Sequence, residues 1–431
     1  MKINSPPKNA LSIYFVTVII RIASGAAGFM LGLFSRTLID EGNLLILEAS
    51  FVSITFFASE LLFSPIFGLL SDRFGRKEFI ILAGIFGICF NILLYASTHL
   101  STTLIISIFW IFLLAEFLAG ISSGSNNPAI WAIYGHEIST IEERGRRYSI
   151  YTILNGGGLF GGWIIGGILW DISQPNHLGF LALALLYALA SLLCLITYQE
   201  NEFRSSKERS FRESLQLVQK ESKLVLFAPV WIFITMILGV VIFSLPILLS
   251  GSNNDKNSES PISGFSGTQI AILMGLLAIC LFFGVLFWGS VSDMVSRRLV
   301  MLVGCFSLFV GSIILFGILE KFPELLEQPF QFPLGILWII EFIVLLGCGG
   351  LPPAAMAYVS DIAPDKEAGN TLGFFILFYT VSHILGAGIA GFVIDSVGLE
   401  QGLQGIMLTV AILSVISAIG VSITVKENDY S

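Results

Sequence analysis

Residues 68–77 read Gly68-Leu69-Leu70-Ser71-Asp72-Arg73-Phe74-Gly75-Arg76-Lys77, a charged turn set between two long apolar runs. A worn copy returns as Gly289-Ser290-Val291-Ser292-Asp293-Met294-Val295-Ser296-Arg297-Arg298. Each copy carries a small residue, an Asp four positions later, and a pair of cations four and five beyond the Asp. One such turn in each half of an apolar chain points to a duplicated helical unit whose helices are joined by short, charged connections.

Composition supports this. Of 431 residues, 55% are hydrophobic and 12% charged, against about 25% charged in an ordinary soluble domain. Apolar runs long enough to cross ~30 Å of hydrocarbon, which takes about 20 helical residues, recur along the whole length. The chain reads as an all-α membrane protein of twelve transmembrane helices. They are expected near Leu11–Phe34, Ile46–Leu69, Phe79–Ala96, Thr103–Ala129, Tyr151–Leu169, Leu178–Tyr198, Leu224–Leu249, Gln269–Ser290, Leu299–Leu319, Leu334–Val359, Leu372–Val393 and Leu403–Val421. The first run is too long for the apolar stretch of a cleaved signal peptide and reads as the first span.

Orientation follows from the cations, which favour the cytoplasmic side. With the N-terminus inside, 18 of the 22 Lys and Arg fall in cytoplasmic segments. Arg36, Lys256 and Lys321 lie opposite, and Arg21 is within a span. Both termini are therefore expected in the cytoplasm, with the chain in the plasma membrane, the inner membrane of a bacterium. The net charge of −8 belongs to solvated loops and tails and gives no reason to expect nucleic acid. The five cysteines, Cys89, Cys194, Cys280, Cys305 and Cys348, fall in the apolar runs. They read as small buried hydrophobes, so no metal site or disulfide framework is expected. Neither is a cofactor, nor an enzyme, because no nucleophile or cluster of His and Asp gathers at a membrane face.

The long hydrophilic segment 199–223 divides the chain into a bundle at 1–198 and a bundle at 224–431, pseudo-symmetric by an internal repeat. Glu116 and Pro128 match Glu341 and Pro353 at an offset of 225, and Glu137, Gly145 and Asp171 match Asp361, Gly369 and Asp395 at 224. Such duplicated bundles place a site for a small-molecule substrate near the bilayer midplane.

The Gly-x-x-x-Asp-Arg-x-Gly-Arg-Lys turn and its echo are similar to the signature loop of the major facilitator superfamily, and the likeness extends over essentially the whole chain. The resemblance implies secondary transport by alternating access. It also implies a conformational latch at Gly68, Asp72, Arg73, Gly75, Arg76 and Lys77, with Gly289, Asp293, Arg297 and Arg298 as its echo. Asp72 would meet the start of span eleven near Asn370 and Thr371. The residues add that Gly68 would let span two approach a neighbour and that Gly75 permits a turn closed to other residues. Span five, Gly158 to Gly167, reads G-L-F-G-G-W-I-I-G-G. It looks like the glycine motif of the drug:proton antiporter branch, except that Trp163 stands where that motif has Pro after the Gly162 position. Gly158, Gly162, Gly166 and Gly167 serve helix packing on either reading.

Charges inside spans are functional candidates, since each costs about 2.5–3.5 kcal/mol at a helix centre. Arg21 and Glu116 are expected near the midplane on helices of one bundle, and a pair between them would make Glu116 a proton carrier. Span four has Glu116, Gly120 and Gly124 where the antiporter branch usually has Arg followed by the two glycines. Glu60 and Glu341 are second candidates, Asn126, Asn127 and Asn155 candidate cavity polar groups, and His383 in span eleven a weaker candidate for a proton relay. Trp110 and Trp131 are expected to join Trp163 along the cavity. Pro128, Pro352 and Pro353 break the helical ladder near the inner ends of spans four and ten and are expected to flex. The expected activity is proton-coupled efflux of amphipathic or cationic small molecules by a monomer, with H⁺ or Na⁺ as coupling ion. The alternatives are uptake of a polar metabolite, such as a sugar or organic acid, and a receptor or scaffold that moves nothing.

Overall fold

The structure, a computed structural model, describes residues 8–100, 108–134, 144–174, 177–199, 221–249, 266–292, 295–321, 342–362 and 368–425. Twelve helices in it are long and apolar enough to cross a membrane. Spans one to six are Leu11–Asp40, Ile46–Ser71, Arg76–His99, Ile108–Ala132, Ile153–Ser173 and Gly179–Thr197. Spans seven to twelve are Ser222–Leu248, Gly267–Trp288, Arg297–Gly317, Phe342–Val359, Leu377–Leu399 and Gln401–Thr424. Spans eleven and twelve follow each other through Gly398, whose φ of 80° turns the backbone where a side chain would be strained.

The chain divides into two compact units. One comprises Met1–Glu208 with Ser266–Gly275, the other Arg209–Phe265 with Leu276–Ser431.

In the N-terminal unit span one lies on spans five and six, span two on span four, and span three on spans four and six. Ile13, Val16, Ile20, Ala129, Ile130, Tyr187 and Cys194 form its core. Large apolar side chains such as Leu185 (71% exposed) and Ile172 (75%) point outward. With no hydrophobic drive between helices in lipid, close packing and interhelical hydrogen bonds hold such a bundle. Ser122 and Ser125 of span four donate to the carbonyls of Ala83 and Phe79 on span three, both at 2.7 Å. In the second unit Leu224, Phe227, Trp231, Tyr358, Phe375 and Val421 form the core, and the Trp231 indole donates to the Phe375 carbonyl at 3.0 Å.

At the turn after span two, Gly75 has φ 108° and its N–H bonds the Ser71 carbonyl at 3.0 Å. Gly68 differs from expectation. A Cβ there would meet only Pro128 Cβ, at an ordinary 3.5 Å, so close approach does not require glycine at that position. The three cations are not equivalent: Arg73 is exposed, Lys77 half-buried, and Arg76 2% exposed, among the largest fully buried side chains. The side chains of Asp72, Asn370 and Thr371 lie outside what is described, as do the surroundings of Gly289 and the whole of Asp293. In the second copy Arg297 pairs with Asp361 at the end of span ten, and Arg298 donates to the Ser422 carbonyl at 3.1 Å. Both cations thereby tie span nine to its own unit.

Span ten also differs. Described from Phe342, it turns at Gly349 and Gly350 before helix resumes at Leu351–Ile362. Pro352 and Pro353 thus occupy the first turn of a new helix, where a missing N–H costs nothing. The interruption comes from the glycine pair ahead of them. Gly349 lies against Gly284 of span eight, where a Cβ would meet Gly284 backbone at 2.6 Å.

Between spans five and six, His177 adopts φ 50° and packs against Trp170 and Phe34 with ring centroids at 4.9 and 5.1 Å. Burial, then the charge of His99, pushes its imidazole below the ordinary 6.5. A lowered native value means that stability is complete above the unfolded value and is lost as pH falls from about 6.5 through the native value.

Two outcomes follow. Arg76→Ala should cost about 2 kcal/mol, because it removes a large, fully buried side chain from its packed site, whereas Arg73→Ala should stay within about 0.5 kcal/mol; thermal melts of the purified protein in detergent compare them. The same melts at pH 7.5 and 5.5 should show a smaller acid loss for His177→Asn, which tolerates the positive φ and does not titrate.

Candidate functional site

Span five reaches span one through a stripe of glycines. A Cβ on Gly158 would lie 2.7 Å from Arg21 Cβ, on Gly162 2.5 Å from the Ile22 carbonyl oxygen, and on Gly166 2.7 Å from that of Ala26. None of these positions accepts a side chain without moving backbone. Trp163 takes no part in that contact; it is half-buried and meets Phe160 edge-on, with centroids at 5.1 Å.

Span four reaches span two by the same device. A Cβ on Gly120 would sit 2.3 Å from the Phe56 carbonyl oxygen, and on Gly124 3.2 Å from the Ser64 nitrogen. Ser59 locks the pair by donating to the Phe117 carbonyl at 2.9 Å. This register sets Glu60 of span two beside one face of span four. Ser123 Oγ and Asn127 Nδ2 each donate to Glu60 Oε1 at 2.7 Å, and Asn127 Nδ2 also reaches Ser123 Oγ at 3.0 Å.

Arg21 completes the cluster from span one, its Nη2 donating to Asn127 Oδ1. Asn127 is held at both ends, its oxygen by a cation and its amide nitrogen by a carboxylate, which fixes its orientation. Arg21 and Glu60 are therefore coupled through a neutral amide without direct contact. Both bonds to Glu60 use one oxygen; Oε2 has no hydrogen-bond partner among the described residues, and the side chain is only half-buried. Arg21 Nε is buried without a hydrogen-bond partner among the described residues. The cluster thus offers an open acceptor on Glu60 and an open donor on Arg21.

The expected Arg21–Glu116 pair is not formed. Glu116 is 6% exposed and makes no ion pair or hydrogen bond among the described residues. The reason is axial distance: eleven residues separate Glu116 from Asn127 on span four, ~16 Å at 1.5 Å per residue. Arg21 meets that helix at the Asn127 level. Tyr187, buried on span six, lies within electrostatic reach of both Arg21 and Glu116.

Of the other candidates, Asn126 is buried with Oδ1 unpartnered among the described residues, and Asn155 is half-buried on span five. Trp110, expected along the cavity, is instead 63% exposed, and Trp131 is half-buried. Pro128 lies inside span four, which runs on past it to Ala132. Glu341 falls outside the described residues. In the second unit His383 packs on Tyr379, ring centroids at 4.1 Å, with Nδ1 2.9 Å from its carbonyl. Ser123 was not singled out from the sequence, although it and Asn127 share a helix face with Glu116 at i+7 and i+11. Asp171 was noted only as a repeat match, and it caps another helix.

The sequence profile of the Major Facilitator Superfamily matches residues 13–255 and 256–429. The tetracycline resistance protein, class H, of Pasteurella multocida is 24% identical over 410 residues, covering 93% of this chain and 92% of that protein. The quinolone resistance protein NorA of Staphylococcus aureus is 23% identical over 340 residues, 79% of each. Among solved structures, an inward-facing, unoccupied bacterial homologue of the human lysosomal transporter Spinster superposes with a TM-score of 0.76 at 15% identity. That match covers 99% of this chain and 98% of the other. A mutant form of the nucleoside transporter NupG gives 0.75 at 13% identity, over 96% and 100%. The solved structures establish the fold alone, and the profile establishes the family: this chain is a multi-pass membrane transporter of the major facilitator superfamily.

Proposed function

We propose that the protein exports amphipathic, cationic small molecules in exchange for protons by alternating access, as a monomer in the plasma membrane with both termini cytoplasmic. The relatives named for tetracycline, quinolone and multidrug resistance support the direction and the substrate class. The observation that carries the mechanism is the Arg21–Asn127–Glu60 cluster.

Glu60 takes over the role that the sequence suggested for Glu116. Ionised, it accepts from Ser123 and Asn127 through Oε1 while Oε2 stays open. A proton and a cationic group on the substrate compete for that second oxygen, so binding one displaces the other, which is the condition for exchange. Arg21 keeps the cluster from carrying a bare negative charge once the cation leaves, and Asn127 keeps Arg21 from quenching Glu60 outright. A direct ion pair would make the carboxylate a poor ligand for either competitor. Buried charge is retained here because bonded partners satisfy most of it.

Uptake of a cationic dye such as ethidium from the medium into everted membrane vesicles tests this. Glu60→Gln should abolish dye movement driven by a pH gradient, a loss of at least tenfold, while Glu116→Gln should keep half or more. Asn127→Leu should impair transport about as much as Glu60→Gln, since it severs the coupling and leaves Arg21 unpaired. A Na⁺ gradient substituted for the pH gradient should drive nothing. Full proton-driven flux in Glu60→Gln would defeat the proposal.

A further inference from the structure

The cation-poor end of span five carries a carboxylate with a use that the central cluster does not supply. Asp171, exposed two residues before the end of that span, accepts from two backbone N–H groups at the start of span eight. Gly267 N lies 2.9 Å from Oδ1 and Thr268 N 2.8 Å from Oδ2. A carboxylate at a helix N-terminus meets both the unfilled donors and the positive end of the helix dipole.

Span eight does not need Asp171 to begin. Its own capping box is complete: the Ser266 hydroxyl accepts from the Gln269 N–H at 3.2 Å, and the Gln269 side chain accepts from the Ser266 N–H at 2.9 Å. That leaves the N–H groups of Gly267 and Thr268, the two that Asp171 takes. The carboxylate therefore contributes to holding one helix against another, beyond what helix termination requires.

The surroundings are built for the contact from both sides. A Cβ on Gly167 would meet the Gly267 carbonyl oxygen and Ala271 Cβ, each at 2.4 Å. A Cβ on Gly267 would meet Asp171 Oδ1 and Trp170 Cδ1, each at 2.9 Å. Further in, Ile164 lies over Gly275. The seam runs through residues 267–275, the part of span eight that packs with the N-terminal unit, and the helix continues from Leu276 in the other unit.

We infer that Asp171 is a clasp: its carboxylate pins the start of span eight to span five and keeps the cation-poor face shut, and that face opens when the two N–H bonds part. The inference takes its orientation from the proposed topology and its need for opening from alternating access, but its test requires neither transport nor a known substrate.

The experiment uses full-length protein with its five native cysteines replaced by alanine and one cysteine at Ile164→Cys, about two turns inward of Asp171. Intact cells are treated with a membrane-impermeant maleimide, without added substrate. The clasped protein should label slowly, and Asp171→Ala should label at least about fivefold faster. Asp171→Asn, which keeps one acceptor oxygen and the shape, should fall between. Gly267→Val, which forces the seam apart from the other helix and leaves the capping box intact, should reproduce the fast labelling. The double variant should be no faster than either single one. Size-exclusion profiles confirm that each is folded. Parental rates in Asp171→Ala and Gly267→Val, or fully multiplicative effects in the double variant, overturn the clasp. Failure of dye export in Glu60→Gln leaves this outcome untouched, so the two proposals stand or fall separately.

Discussion

The N-terminal unit depends on backbones lying closer together than side chains normally allow. Spans one and five touch at Gly158, Gly162 and Gly166, and spans two and four at Gly120 and Gly124; at Gly162, Gly166 and Gly120 a carbonyl oxygen lies where a Cβ atom would otherwise stand. In lipid this proximity is itself the cohesive force, since apolar side chains gain nothing by leaving hydrocarbon for each other. It also has a chemical consequence. Only at these separations can the side chains of Arg21, Glu60, Ser123 and Asn127, drawn from three helices, form one hydrogen-bonded cluster.

That cluster reconciles two demands. A charge near the bilayer centre must be satisfied or it costs several kcal/mol, yet a fully satisfied pair has no reason to exchange a proton or bind a cation. Placing a neutral amide between guanidinium and carboxylate meets both. Each charge is hydrogen-bonded, and each keeps an unused position among the described residues, Nε on Arg21 and Oε2 on Glu60. Glu116, by contrast, is buried without such partners.

Much of the architecture was legible in the sequence because it rests on one-dimensional signals. Run lengths give the spans, cation placement gives an expected orientation, and matched Glu, Pro and Asp positions give the repeat. The candidate charges were legible too, since few ionisable residues lie in apolar runs. Which charge met which was not. Arg21 chooses Asn127 over Glu116 because of how high span one stands against span four, and no spacing within either helix encodes that height. Gly68 was misread for a similar reason: a glycine in a motif suggests close contact, but its neighbour Pro128 stays at an ordinary distance. In span ten the Gly349–Gly350 turn was overlooked because the adjacent prolines are the louder signal. Asp171 was visible as a repeat match, but its task depends on a partner 96 residues away.

The central claim is that Glu60 gives up its proton when a cationic substrate arrives, and proton release on binding measures this directly. Purified protein in lightly buffered detergent at mildly acidic pH, mixed with a cationic substrate in the presence of a pH-indicator dye, should release close to one proton per protein. Glu60→Gln should release none, while Glu116→Gln should release as much as the parent. Release unchanged in Glu60→Gln, or lost only in Glu116→Gln, would contradict the account.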